Sequence, residues 1–319
     1  MRLQFKGDVV GGVVALLLFL SGDAFRMIYS AYFLYREIDP FVLMFCFSLL
    51  SLIFMAGLML KDWLRSGVKF SCVFTDFRQR PGFIRCVYLY GLINFFTLLS
   101  WVSGFWAIKY LLPGAFSSIA VSVGAIILPF TQGVRLSVLN ILLSILVVLS
   151  AVFIASAGGG IAVSGAGGYG AGINAGIVLS ILCGISIYIN TRVSARLGVL
   201  KQSPIKVNAL RSILVVFCCF GLCLKFDLFS TIEVAWVDVV LLSSFMFLIQ
   251  VALQFAIAWL GASLTTIGLS AAPAFAVLIQ SVFFKITVDS IVASVIFFNA
   301  CVLIVLTVEQ RKHVKRASR

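Results

Sequence analysis

The chain alternates long apolar runs with short polar stretches that carry most of its charges. A helix needs about 20 apolar residues to cross a hydrocarbon core about 30 Å thick, because each residue rises about 1.5 Å. Helix is the required conformation, since unpaired backbone groups in lipid each cost several kcal/mol. The pattern predicts ten spanning helices. They cover residues 9–34, 40–60, 86–108, 113–130, 137–157, 172–190, 207–224, 239–261, 263–284 and 291–308.

Composition excludes a water-soluble fold. Apolar residues make up 62% of the 319 positions and charged residues only 11%, and the mean hydropathy is +1.16. Such values lie far outside the range of soluble globular domains. The ten runs leave room only for loops and tails, so we expect an all-α integral membrane protein without a separate soluble domain.

The position of the basic residues predicts the orientation. With ten crossings and a cytoplasmic N-terminus, most of the 24 Lys and Arg lie on the cytoplasmic side, as the positive-inside rule requires. Both termini are then cytoplasmic, and the expected location is the inner membrane. The net charge of +13 is explained by contact with anionic lipid. Nucleic-acid binding is not expected, because no base-stacking aromatics accompany the charges.

An internal similarity relates the fourth and ninth runs. The small and hydroxyl residues of 117–124 recur in order 148 positions later at 265–272, and Gln132 corresponds to Gln280. Shared composition of apolar helices is the alternative explanation. A duplicated unit of five helices, an odd number, enters the membrane from opposite sides. The halves are then inverted repeats, which place a binding site near the midplane between them.

The pattern resembles the drug/metabolite transporter superfamily, specifically its EamA-type transporters. The likeness rests on ten spans in two halves, Pro40 at the start of the second span, a tight connection at 109–118 and Pro273 in the ninth span. It implies a first EamA-like repeat at 1–157, a Gly-rich extracytoplasmic linker at 158–171, a second repeat at 172–308 and a basic cytoplasmic tail at 309–319. It also implies a cavity lined by the first, third, fourth, sixth, eighth and ninth helices. The sequence departs from the family at 21–22, 45–46, 133–135 and 284–285.

Two charged residues stand within the first span. Asp23 and Arg26 lie three positions apart, on one face of a helix, and can form an ion pair. A charge at such depth costs at least about 2.5 kcal/mol unless it is paired or hydrated. The pair either recognises the amine and carboxylate of a substrate or neutralises itself as a structural element, and the sequence leaves both open.

Other polar side chains are expected to face inward, because amides and hydroxyls in lipid seek hydrogen bonds. Whether they hold substrate or neighbouring helices is open, and Trp101 could be a cavity wall, although membrane aromatics are more often interface anchors. Asn190 belongs to this inward group, whereas Arg211, near the start of the seventh span, reads as an interface anchor. With Asp23 and Arg26, the candidate binding residues are Asn94, Trp101, Ser117, Ser118, Tyr188, Gln250, Gln254, Thr265 and Thr266.

Enzymatic and cofactor chemistry find no support in the sequence. Residues 165–170 satisfy the dinucleotide pattern G-x-G-x-x-G, but no βαβ unit surrounds them. Asp23 has no second carboxylate at similar depth to form an acid–base pair, and the single histidine, His313, lies in the basic tail. We expect no catalytic residues, no metal and no cofactor.

The expected function is export of a small polar or amphipathic, amino-acid-like metabolite by a secondary transporter that works by alternating access. One alternative is import of a nucleotide-like or sulfonium metabolite such as S-adenosylmethionine. An alternative of another class is a non-transporting membrane scaffold or lipid-handling subunit, which requires no central cavity. The expected partners are the lipid bilayer and the small-molecule substrate, and a homodimer is left open.

Overall fold

The computed structural model describes residues 9–66, 83–132, 138–158, 169–200, 202–232, 236–283 and 289–317. Every regular element in these ranges is helical, as the sequence predicts. A short 3-10 helix covers Leu228–Ile232. The α-helices are α1 Val9–Tyr35, α2 Pro40–Ser66, α3 Phe83–Tyr110, α4 Pro113–Gln132, α5 Val138–Gly158, α6 Tyr169–Val199, α7 Pro204–Arg211, α8 Ile213–Lys225, α9 Trp236–Leu269, α10 Ala272–Phe283 and α11 Ser290–Ala317.

Eight helical segments of the described chain are long and apolar enough to cross a membrane, and two shorter apolar helices cover Pro113–Ile127 and Val138–Ile154. The outer surface is also apolar. On α5, for example, Leu142 is 59% exposed and Leu149 is 61% exposed. Large apolar side chains at the periphery are stable in a lipid bilayer, because they contact hydrocarbon there and are not exposed to water. The chain is therefore a multi-pass membrane protein.

Several helices extend beyond the predicted apolar runs. The sixth helix continues from the predicted end at residue 190 to Val199, and the last continues from 308 to Ala317. Hydropathy shows only where the apolar run ends. The backbone hydrogen bonds of a helix continue through basic residues such as Arg196, so the helix is longer than the apolar run. Most of the predicted linker, residues 159–168, lies outside the described part of the chain.

One predicted connection in the second half of the chain, at Gly261, is confirmed. Gly261 has φ +77° and ψ 162° inside α9, so the helix axis is interrupted there without a loop. Such a φ is readily adopted only by glycine. A second interruption, at Ser270 and Ala271, separates α9 from α10 within the segment that was predicted as a single ninth span, two residues before Pro273, which has no backbone N–H to donate. In the first half, α4 runs from Pro113 to Gln132 without such an interruption.

The helices pack in pairs that run across the sequence. The most extensive contacts join α3 to α6 and α1 to α9, followed by α4 with α6, α5 with α11, α9 with α2, and α2 with α8. A central apolar cluster, which includes Met27, Phe47 and Ile108, ties most of these helices together. Small residues permit the closest approaches. Gly184 on α6 lies against the backbone of Ala120 on α4, so that a Cβ there would overlap the Ala120 carbonyl.

This contact predicts a sharp difference between two glycine substitutions. Gly184→Ala should destabilise the protein by about 1–3 kcal/mol, because the added methyl overlaps a backbone atom that cannot rotate away. Gly91→Ala is the matched control, since nothing lies within 4 Å of a Cβ at this exposed position on α3. Thermal unfolding of the purified protein in detergent measures both. Equal midpoints for the two variants would mean that α4 and α6 are not in close contact.

Candidate functional site

A central cavity of about 150 Å³ lies among the helices. It is lined by α1, α3, α4, α6, α9 and α10, with one further residue, Arg211, from the end of α7. The six helical spans expected from the family resemblance all contribute to it. Its volume is below the roughly 300–1,000 Å³ of drug-sized sites, so the cavity suits a small molecule.

Asp23 and Arg26 face this cavity from the middle of α1. The Arg26 Nε donates to Asp23 Oδ1 at 2.8 Å, and the two side chains are 16% and 20% exposed, respectively. The Arg26 guanidinium also lies 6.0 Å from the centroid of the Phe105 ring. Their spacing of three residues places both on one helical turn, which is why the predicted pair forms. The ion pair brings two opposite charges to the cavity wall without adding net charge.

Three further predicted residues line the cavity: Trp101 from α3, Ser117 from α4 and Gln250 from α9. Gln250 is 3% exposed, and its Oε1 accepts a hydrogen bond from the Ser51 hydroxyl at 3.2 Å. Its amide nitrogen has no hydrogen-bond partner among the described residues. A buried donor in this state costs about 1–3 kcal/mol unless water or a ligand accepts from it. Gln250 therefore offers an N–H group to a molecule in the cavity.

Asn94, a predicted binding residue, instead fixes an interruption in the seventh span. Its Nδ2 donates to the Leu210 carbonyl at 2.7 Å and to the Tyr90 carbonyl at 2.8 Å, and its Oδ1 accepts from the Leu214 N–H at 3.0 Å. These bonds span the junction at Ser212 between α7 and α8. The side-chain amide thus satisfies backbone groups at the break between the two helices.

The other predicted residues lie outside the cavity lining. The Thr265 hydroxyl donates back to the Gly261 carbonyl at 3.0 Å, at the start of the helical segment that follows this glycine. The Tyr188 ring lies 5.8 Å from the Arg192 guanidinium. Thr265 and Tyr188 thus contact their own helical segments, whereas Ser118 Oγ and Gln254 Nε2 are buried without a hydrogen-bond partner among the described residues. The set comprises Ser118, Tyr188, Gln254, Thr265 and Thr266.

Polar cavity residues that the sequence reasoning did not select lie mainly on α6. Asn190, Thr191 and Ser194 line the cavity there, and the Asn190 Oδ1 and Ser194 Oγ have no partner in the described part of the chain. Asn190 was placed only among the inward-facing residues. Asn190 and Ser194 are four positions apart on one helix face, a spacing that could have identified this polar face.

Arg211 differs from its expected role as an interface anchor. It is 8% exposed and lines the cavity. At about 1.5 Å per residue it lies about 10 Å beyond the start of α7 at Pro204. The sequence reasoning placed Arg211 near the start of a span, whereas the structure places it at the end of α7, directly before the break between α7 and α8. The break held by Asn94 is what positions this arginine.

Substituting Asn94 tests this structural role. Asn94→Ala should lower stability by about 1–2 kcal/mol, since it leaves backbone groups at the α7–α8 break without partners inside the membrane. Asn174→Ala, at an exposed position on α6, is the control and should be neutral. Thermal unfolding in detergent measures both variants. A stable Asn94→Ala protein that has lost only ligand binding would instead place Asn94 in the binding site.

Comparison with known proteins supports the fold and no more. No family model and no curated protein matches the sequence. Among solved structures, 28 chains match. One, described only as "Crystal structure of protein", superposes with a TM-score of 0.59 over 94% of this chain and 98% of its own, at 14% sequence identity. At this identity the likeness shows a shared fold alone, here extending over almost the whole of both chains.

Proposed function

We propose that the protein is a secondary transporter of the EamA type, with ten crossings in two inverted halves, and that it exports a small amino-acid-like metabolite by alternating access. The observation that carries the proposal is the central cavity. Helices from both predicted halves line it, and several of its buried polar groups, including Gln250 Nε2, Asn190 Oδ1 and Ser194 Oγ, have no partner among the described residues. Groups of this kind suit a ligand or water.

The helix contacts support the inverted repeat. If the halves correspond in order, α1 matches α6, α3 matches the first part of α9, and α5 matches α11. The two most extensive contacts, α3 with α6 and α1 with α9, are then equivalent, and α5 with α11 pairs matched helices across the axis. A pseudo-two-fold axis predicts these relations, and an unrelated ten-helix bundle has no reason to obey them.

Cavity positions repeat with the same spacing in the two halves. On α1 the residues Asp23 and Arg26 face the cavity, and on α6 the residues Thr191 and Ser194 do so, again three positions apart. A spacing of three positions is what one face of any α-helix presents, so it agrees with the repeat without fixing which residues correspond.

A similar relation holds for the third and eighth spans. On α3 the residues Trp101 and Gly104 line the cavity, and on α9 the residues Gln250 and Leu253 do so at the same separation. Matched helices that present matched positions to one cavity are the arrangement expected of two copies related by an axis through the site.

The interruptions in the second half supply places where helices could bend during alternating access. Gly261 joins two helical segments through one residue with positive φ. Leu269 and Ala272, on either side of the Ser270–Ala271 interruption, both line the cavity. Hinges are typically a few residues at element ends that absorb changes in φ and ψ. Rotation at these points would change the cavity wall directly.

The cavity favours a compact cargo. Its volume of about 150 Å³ is small for a nucleotide-like molecule, which argues against the alternative of S-adenosylmethionine import. A scaffold or lipid-handling subunit needs no polar central cavity, so the placement of Asp23 and Gln250 on its wall favours transport. Export and import share this geometry. Accumulation of a labelled compound by intact cells, as opposed to its release, distinguishes the two directions.

Charge-neutralising substitutions test the role of the ion pair. An untargeted comparison of metabolites released by cells with and without the protein first identifies the cargo. Asp23→Asn or Arg26→Gln should then each reduce its transport at least about tenfold, since each leaves an unpaired charge on a largely buried cavity wall, and 1.4 kcal/mol corresponds to tenfold. Asp238→Asn, at an exposed site near the start of α9, is the control. Unaltered transport by both Asp23 and Arg26 variants would remove the pair from the site.

The number and direction of the crossings can be tested with paired reporters. We expect a cytoplasmic signal from fusions after residue 319 and within 67–82, and an extracytoplasmic signal within 159–168, because five crossings separate the N-terminus from this last segment. Alkaline phosphatase reports exposure outside and green fluorescent protein reports exposure inside. An extracytoplasmic C-terminus implies an odd number of crossings, which is incompatible with two five-helix halves.

A further inference from the structure

Arg211 is a cavity residue whose charge nothing in the described structure balances. It is 8% exposed, and its Nε has no hydrogen-bond partner. The ion pair on the cavity wall joins Asp23 to Arg26 and does not include Arg211. The charged residues lining the cavity are Asp23, Arg26 and Arg211. Because the first two neutralise each other, the described wall carries a net charge of +1.

An unbalanced guanidinium that is buried to this degree is costly. Buried charges in proteins are normally paired, and intramembrane arginines mark pathways for ions or substrates more often than packing positions. Hydrogen bonds with Asn94 also fix the backbone next to Arg211. The helix breaks immediately after it, and Asn94 bonds to the backbone on both sides of that break. A residue serving only as a membrane anchor would not need this placement.

We propose that Arg211 binds a negatively charged oxygen group of the cargo, and that the preferred cargo carries one more negative than positive charge. This proposal deepens the proposed transport function and rests on it, since it describes the molecule that is transported. The planar guanidinium offers a fork of donors that matches a carboxylate or a phosphate in two-point contact. Bound cargo of charge −1 brings the cavity to neutrality. The small volume favours a carboxylate, as in an acidic amino acid.

Matched probes test the charge preference in the full-length protein purified in detergent. L-glutamate and L-glutamine have nearly the same shape and differ by one negative charge. Glycerol 3-phosphate and glycerol form a second pair, which separates phosphate from carboxylate recognition. Ligand-dependent shifts of the thermal midpoint, at constant ionic strength, give apparent affinities. We expect L-glutamate to bind at least tenfold more tightly than L-glutamine.

Substitutions then assign the preference to Arg211. Arg211→Gln should reduce the apparent affinity for L-glutamate at least tenfold and leave that for L-glutamine unchanged. Arg211→Lys, which keeps the charge but loses the two-point contact, should lie between Arg211→Gln and the wild type. Arg196→Gln is the control, since Arg196 is exposed on α6 outside the cavity and should change neither affinity.

The thermal midpoint without ligand separates binding from a structural role. If Arg211 serves a ligand, Arg211→Gln removes an unbalanced buried charge, and the midpoint should stay level or rise. A lowered midpoint with an intact glutamate shift would make the residue structural and overturn the proposal. Equal binding of the charged and neutral probes, or no binding of either anion, would overturn it as well.

The two proposals fail in distinguishable ways. Arg211-dependent binding of an anion, together with no metabolite transported by cells or proteoliposomes, would leave the anion site standing and refute the transporter. Transport of neutral L-glutamine in preference to L-glutamate would leave the transporter standing and refute the anion site.

Discussion

The cost of an unsatisfied polar group in hydrocarbon governs this molecule at every level. It forces the backbone into helices, because only helices satisfy their own N–H and C=O groups within one segment. It also favours polar side chains that bond to their own backbone, bridge two helices or face the cavity. Asn299 shows the second solution. Its amide joins α11 to the Ser150 hydroxyl of α5 at 2.6 Å, deep in the apolar interior.

Much of the fold follows from sequence because the responsible interactions are local. Apolar run length predicts a spanning helix, and a spacing of three residues predicts that Asp23 and Arg26 pair. The Gly261 connection follows similarly, since one residue type fits the required backbone conformation. Helix ends are less accessible. Hydropathy changes where lipid gives way to water, while the hydrogen bonds of α6 and α11 continue past that point.

The candidate site was harder to predict because its decisive contacts join residues distant in sequence. Nothing in the sequence distinguishes Asn94 from the other amides in the apolar runs. Only the three-dimensional structure shows that it bonds to Leu210 and Leu214, more than a hundred residues later. That contact spans the break between α7 and α8, directly after Arg211, which lines the cavity. A hydropathy profile contains no information on such a break, and therefore assigns the arginine to the interface.

The proposed symmetry and the observed charges suit two different roles, namely conformational movement and recognition of the substrate. Both α1 and α6 line the cavity, but α1 contributes the charged pair Asp23 and Arg26, whereas α6 contributes the hydroxyls of Thr191 and Ser194. A shared scaffold is what exchange of conformations between two halves requires. Chemical recognition has no such requirement, since a small molecule has different groups at its two ends. In the proposed transporter, two related halves would thus provide the movement, and the side chains that differ between them, with Arg211 from α7, provide the polarity of the cavity.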